Sequence, residues 1–342
     1  MNGQKLYEDF EKRYGKERER IYVFQAASPL PLLGAELSRF RKPALGIGIA
    51  PPSMAAVRKR SDGLFRIQTV YSNEEAFCRR ENLGTYQGNK LYKEIFSLIA
   101  RMGKTLDGAD FLFYEREECE LFSHAPAVCA LALQKFSERE WMPGELLQNV
   151  LWNDADEERN VRELISLCAK SNQAVLIRDA KPGTLPFSAE HEKIILIAAE
   201  TKRKPDLDGI RSIEELAEAA EHSRYAKYLL RELERTNAAV RALESGKNEL
   251  FRGLLENGTK DFLETAGKEA KSLKILYQIA APVSCGCKAV DGAGLFCFVP
   301  NAETDAFLDR VHSAYQKKAG AAPAFYIGEM IESGELSDIK TE

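Results

Sequence analysis

Long apolar runs, blocks of like charge and ordered cysteine spacings are all missing from this chain of 342 residues. No stretch approaches the roughly 20 consecutive apolar residues that a bilayer span needs, so no membrane segment is expected. Basic blocks are no longer than Arg58-Lys59-Arg60 and Lys202-Arg203-Lys204, net charge is −4 and the pI is near 5.8, which leaves no electrostatic footprint for nucleic acid. The seven cysteines are odd in number and irregularly placed, as expected of reduced thiols rather than a disulfide frame. The opening MNGQKLYEDFEKRYGKERERIY is charged throughout, so no secretory signal is expected and a cytoplasmic location follows. Internal repeats and low-complexity segments are absent. What remains is an ordinary globular composition, 44% hydrophobic and 29% charged, with a length that suggests two domains.

Periodicity predicts a helix over Lys5 to Tyr14, a short strand over Ile21 to Phe24, and then a loop over Gln25 to Phe40, marked by two prolines and Gly34. That loop contains no His, Lys or Asp; Glu36 and Arg39 are its only charges. Met54 to Val70 predicts a hairpin around Asp62-Gly63. A helix over Asn89 to Met102 ends at Gly103, Ala109 to Tyr114 is a strand, and a buried helix with Pro126 in its first turn ends at Phe136. Further helices are expected over Pro143 to Leu151 and Glu157 to Lys170. Strands over Gln173 to Ile177 and Lys193 to Ala198 flank a turn-rich AKPGTLPFS. Helices dominate from Ile213 to Leu276, and strands at Gly294 to Val299 and Ala324 to Ile327 enclose a helix over Ala306 to Lys318. The expected division is 1–185 and 186–342, in the α+β class.

Residue types that suggest chemistry have plainer explanations. Glu36 and Arg39 read as a solvated loop pair. Ser123 beside His124 lacks catalytic geometry, because adjacent helical residues point about 100° apart, and Ser123 reads as a helix cap. Cys285, Cys287 and Cys297 lack a fourth ligand at zinc spacing, so no metal is expected. His191 and His222 read as surface residues, Asp154 to Glu158 as acids complementing a helix dipole, and the Asn257-Gly258-Thr259 sequon as incidental.

Several fragments, YEDFEKRYG, VRKRSDGLFRI, QAVLIRDAKPGTLPF, YAKYLLRELERTNAAVRALESG, GAGLFCF and APAFYIGEMIESG, together resemble in order and wording the galactokinase branch of the GHMP small-molecule kinases over nearly the whole length. The resemblance implies a two-domain fold with an active-site cleft between the domains, and three sites. Against the family's sugar loop, A-P-G-R-V-N-L-I-G-E-H-T-D-Y, the run Ala26 to Arg39 keeps the frame Leu32-Leu33-Gly34. Pro29 then stands at the arginine position, Ala35 at the glutamate, Glu36 at the histidine and Ser38 at the aspartate. A one-residue shift restores Glu36 to the glutamate position but misplaces Gly34. The phosphate-loop positions are Glu118, Cys119, Glu120 and Ser123, with glutamates where glycines would let backbone N–H groups reach a phosphate. A carboxylate about 5 Å from a phosphate charge costs roughly 3 kcal/mol at an effective dielectric near 20. Arg162 stands where the family carries its catalytic aspartate.

The resemblance therefore implies a pseudoenzyme with no cofactor, holding a sugar-like small molecule or a protein partner. An active ATP- and Mg-dependent sugar kinase with a rearranged site, using Glu118, Glu120 or the Asp154 to Glu158 acids, is the alternative. A structural protein with a side-chain-filled cleft is a third possibility. Neither nucleic acid nor membrane is an expected partner.

Overall fold

The computed structural model describes residues 1–115, 124–137, 141–150, 157–199, 209–290, 293–337 and 339. In chain order the elements of the first half are α1 (Gly3–Tyr14), β1 (Ile21–Leu33), β2 (Ala44–Arg60), β3 (Leu64–Thr69), β4 (Glu75–Arg79), α2 (Lys90–Met102), β5 (Gly108–Tyr114), α3 (Ala125–Phe136), α4 (Pro143–Val150), α5 (Glu157–Cys168), β6 (Gln173–Arg178) and β7 (Lys181–Pro186). The second half contains β8 (Glu192–Ala198), α6 (Ile213–Ala219), α7 (Arg224–Glu244), α8 (Asn248–Ala266), α9 (Lys271–Ala280), β9 (Cys287–Val290), β10 (Gly294–Pro300), α10 (Thr304–Ala319), β11 (Phe325–Gly328) and β12 (Gly334–Glu335).

An eight-stranded sheet runs β12-β1-β2-β5-β3-β4, with β6 paired to β2 and β7 to β6. Helices α2 to α5 bury one face of this sheet around Phe65, Phe96, Phe111 and Phe113, and α1 covers part of the other through Leu6, Tyr7 and Phe10. A four-stranded sheet, β11-β8-β10-β9, packs with α6 to α10. A third apolar cluster, from Leu30, Leu32 and Ile47 to Phe251 and Phe298, joins the two halves.

The predicted loop over Gln25 to Phe40 is instead mostly strand. β1 continues to Leu33, and Pro29 and Pro31 lie opposite Gly48 and Gly46 of β2, between two register shifts. Proline lacks the N–H a central strand would use, and irregular pairing of this kind is where a sheet tolerates it. Gly34, at φ 78°, ends the strand, and Ala35–Phe40 forms a 3-10 turn. A Cβ at Gly34 would lie 2.3 Å from the Pro43 carbonyl oxygen, so both conformation and space demand glycine.

The predicted hairpin around Asp62-Gly63 also differs. β2 and β3 are joined by a tight turn, but β5 lies between them, antiparallel to β2 and parallel to β3. Charge explains the insertion. Fully buried Asp110 on β5 accepts from Arg58 at 2.9 Å, from Arg60 at 3.2 Å and from Arg66 at 2.6 Å, so three guanidinium groups on the flanking strands converge on one carboxylate. A tight two-residue hairpin forms instead at β6–β7, in the predicted turn-rich stretch. Asp179 and Ala180 both take positive φ, the backbone of a two-residue hairpin turn without the usual glycine.

The end of the chain returns to the first sheet. The Ala50 N–H donates to Glu329, Ile331 to Gly48 and Leu336 to Val23, and β12 pairs with β1 at Phe24 and Gln25. Ser333 accepts from the Ala27 N–H at 2.8 Å.

Candidate functional site

Three elements meet at a cleft between the halves. The end of β1 and its 3-10 turn supply Pro31, Leu32, Leu33, Ala35 and Glu36, α5 supplies Glu158 and Arg162, and β9 supplies Lys288, Ala289 and Val290. Helical spacing places Glu158 one turn from Arg162, and Arg162 Nη1 donates to Glu158 Oε1 at 3.4 Å. Opposite them, Lys288 Nζ donates to Glu232 Oε1 at 3.1 Å. Arg235 Nε donates to the other oxygen of Glu232 at 2.9 Å, and its Nη1 lies 2.9 Å from Asp261. Tyr228, one turn before Glu232, is fully buried; burial first, then the charges of Glu232 and Glu36, push its phenol well above the ordinary range.

Lys288 is held in place by Thr259. This buried hydroxyl accepts from the Ala289 N–H at 3.0 Å and lies 3.2 Å from the Cys287 carbonyl, which it can donate to, so α8 fixes the register of β9. The Asn257-Gly258-Thr259 sequon thus contains a packing residue. A Cβ at Gly258 would approach Glu232 Oε2 to 3.2 Å, so glycine there leaves room for the ion network.

The part of the cleft that these described residues line holds only about 20 Å³ of free space. That is room for about one water molecule. Small-molecule sites usually offer about 300–1,000 Å³.

Of the residues singled out from sequence, Ala35, Glu36 and Arg162 come together at this cleft. Pro29 is buried in β1 and does not line it, and Ser38 donates to the Ala35 carbonyl at 2.7 Å within its own turn. Glu36 and Arg39 do not act as the expected solvated pair: Glu36 lines the cleft, whereas Arg39 is exposed and donates to the Ile210 carbonyl at 3.4 Å. Glu118, Cys119, Glu120 and Ser123 lie outside the described residues, as do Asp154 and Asp156.

Both flanks of the stretch that the resemblance matches to a phosphate loop are described. Glu115, at the end of β5, is buried, and one of its carboxylate oxygens accepts from the Ala125 N–H in the first turn of α3. His124 donates its backbone N–H to Ser53 Oγ at 2.8 Å, and its Nδ1 lies 3.3 Å from Glu163 Oε1 with both side chains buried. A helix N-terminus attracts anions through its free N–H groups and its dipole. Here an internal carboxylate already occupies part of that position.

Glu115, Glu163, Glu232 and Lys288 were not singled out by sequence reasoning, although two left a signal. Glu232 interrupts the apolar stripe Tyr225, Tyr228, Leu229, Thr236, Ala239, Val240 of α7, and Lys288 sits between Cys287 and Ala289 in a short strand. A charge at a core position needs a partner. Cys287 and Cys297 are cross-strand neighbours, buried as free thiols, while Cys285 is exposed. His191 and His222 are exposed, as expected. Among the described residues no group of His, Cys, Asp and Glu is arranged to hold a metal ion, and no helix is long and apolar enough to cross a membrane.

No family model and no curated protein sequence matches the chain. Solved structures do. A crystal structure of Lactococcus lactis galactokinase complexed with galactose superposes at a TM-score of 0.77 with 15% identity, covering 97% of this chain and 98% of that one. A mevalonate kinase gives 0.65 with 13% identity over 91% and 99% of the two chains. Methanococcus jannaschii mevalonate kinase gives 0.64 with 12% identity over 93% and 100%. Two sheets in this order, a cleft where β1, α5 and β9 meet, and superposition on these enzymes over nearly the whole chain give this chain the α+β fold of the GHMP small-molecule kinases.

Proposed function

We propose that this protein is a galactokinase-like pseudoenzyme, which keeps the kinase scaffold for binding, chiefly of a protein partner, and no longer transfers phosphate. One observation carries it: the described part of the cleft has about 20 Å³ of free space, and the Arg162–Glu158 pair and Lys288, itself paired with Glu232, stand in its lining. A sugar entering this part of the cleft would have to displace the Arg162–Glu158 pair or Lys288. Arg162 cannot accept a proton at working pH, so it cannot serve as a general base for a sugar hydroxyl. Support also comes from Glu115, whose carboxylate takes up an N–H at the start of α3 that would otherwise face a phosphate.

The test is a thermal-shift titration with Mg-ATP, with galactose, mevalonate and other hexoses, alone and together, followed by a coupled ADP-release assay. Neither stabilisation by Mg-ATP below millimolar concentration nor turnover is expected. Sub-millimolar stabilisation with turnover would overturn the proposal in favour of an active kinase with a rearranged site. Stabilisation by a sugar alone would assign the binding role to a small molecule.

A further inference from the structure

Strand β4 ends the first sheet, and its outer edge is open. Its neighbour β3 pairs with it on one side only, Leu64 opposite Arg79 and Arg66 opposite Phe77. The Arg80 N–H donates to the Gly63 carbonyl at 3.1 Å, which continues the ladder by one pair and sets its alternation. Hydrogen-bonded and non-bonded pairs alternate in an antiparallel ladder. Ala76 and Cys78 therefore exchange bonds with β3, and the N–H and C=O groups of Glu75, Phe77 and Arg79 point outward. Among the described residues, those outward groups meet only the Cys78 thiol, 3.5 Å from the Arg79 carbonyl.

The side chains of the same three residues are exposed, and Phe77 is 68% exposed in the middle of the strand. Proteins usually blunt such an edge with proline, lysine or a bulge. None is present at the centre of β4. Beside Phe77 lies an open groove of about 560 Å³, lined by Leu64, Cys78, Arg79, Asn82, Thr85 and Tyr86.

The order Glu75-Ala76-Phe77-Cys78-Arg79 is self-complementary when reversed. We propose that β4 pairs with β4 of a second copy of this chain, antiparallel about a two-fold axis at Phe77, to give an isologous dimer with a sheet continuous across both copies. In that register Phe77 meets its partner's Phe77, and Glu75 meets its partner's Arg79 at both ends. All three are outward-facing pairs, so each exchanges two backbone hydrogen bonds, and the parity of the strand agrees with the parity of the charges. Arg79 has no ion-pair partner among the described residues, and Glu75 reaches only Arg66, at 3.9 Å. Opposite charges and aromatic pairs directly across a ladder stabilise it. A two-fold axis makes one patch complementary to itself. A short strand alone is smaller than a stable interface, and the groove beside Phe77 supplies the additional surface. The dimer is independent of the proposed loss of phosphotransfer, since β4 lies four places from β1 in its sheet and β9 belongs to the other sheet.

Sedimentation velocity of the full chain from about 1 to 100 µM tests this, with circular dichroism and thermal melting to confirm folding. Wild type is expected to dimerise. Phe77→Lys is expected to be monomeric throughout with an unchanged melting point. Glu75→Arg and Arg79→Glu each place like charges opposite one another twice, and each is expected to raise the dissociation constant about tenfold or more. The double variant Glu75→Arg/Arg79→Glu restores complementarity, and wild-type association is expected to return. A wild-type monomer at 100 µM would overturn the proposal and leave the edge to a strand of another protein. A dimer indifferent to Phe77→Lys, or a charge swap that fails to rescue, would equally overturn it by placing the contact elsewhere.

Discussion

Replacing Lys288 by methionine preserves the length of the side chain and removes its charge from the base of the cleft. Glu232, fully buried, would lose the ammonium group 3.1 Å away. The bare Coulomb attraction of that pair is about 5 kcal/mol at an effective dielectric of 20. Desolvation offsets most of this while the pair is intact, but removing one partner strands the other, at a typical cost of 3–5 kcal/mol. Arg235 still donates to Glu232 at 2.9 Å, which places the expected loss at the lower end, about 3 kcal/mol. Urea unfolding with an m-value of about 3 kcal/mol/M should then show a midpoint lower by roughly 1 M. Glu232→Leu combined with Lys288→Met removes both charges and should be less damaging than Lys288→Met alone, with a coupling of about 2 kcal/mol in the double-mutant cycle. A single-variant loss under about 0.5 kcal/mol, or a cycle that is additive, would refute the claim that the cleft is held shut by a buried ion pair.

Asp110→Asn should destabilise more than any surface charge change, by about 3–5 kcal/mol, since Arg58 is also fully buried; calorimetry of the intact chain reads the loss. Gly34→Ala combines a left-handed φ with a contact to the Pro43 carbonyl, and a loss of at least about 1–3 kcal/mol is expected in the same assay. Arg162→Asp, which restores the carboxylate of the resembled family, should produce no ADP release with any hexose, as a coupled assay would show. Burial raises the thiols of Cys168 and Cys287 to about 12 from 9.0. Above pH 9 the unfolded chain gives up protons that the folded chain keeps, so their contribution to stability is complete below about 9 and disappears as pH rises through about 12. Urea midpoints should therefore fall over that interval, and less steeply in Cys168→Ala/Cys287→Ala. Among the described cysteines, Cys285 should be alkylated first, as peptide mass spectrometry would reveal.

Helices were legible where an apolar stripe and a cap coincided. Asn89 and Gly103 bracket α2, and the Asn89 side chain does accept from the Leu91 N–H at 2.9 Å. Strand partners were not legible, because pairing is decided by residues far apart in the chain. Asp62-Gly63 correctly marks a turn, yet the neighbour of β2 is chosen by Asp110, some fifty residues on, which three arginines require in the interior. The prolines of β1 read as loop because their tolerance depends on irregular pairing with glycines of β2, and no local pattern contains that information. At the cleft, the loop and α5 positions could be named in advance, and Ala35, Glu36 and Arg162 do share one wall. The opposite wall comes from β9 and α7, whose Lys288 and Glu232 carry meaning only as a pair.

The return of the final segment to β1 has a consequence for biosynthesis. Ser333 and Ala27 are 306 positions apart, and Leu336 closes onto Val23. At about 5–20 residues per second, a nascent chain carries the exposed margin of its first strand for roughly 15–60 s before the segment that covers it has been made. For that interval the unpaired edge of β1 is open to pairing with any other strand within reach. A stop codon before Glu329 would make the interval permanent, leaving a polypeptide that has nearly all of its core and no clasp.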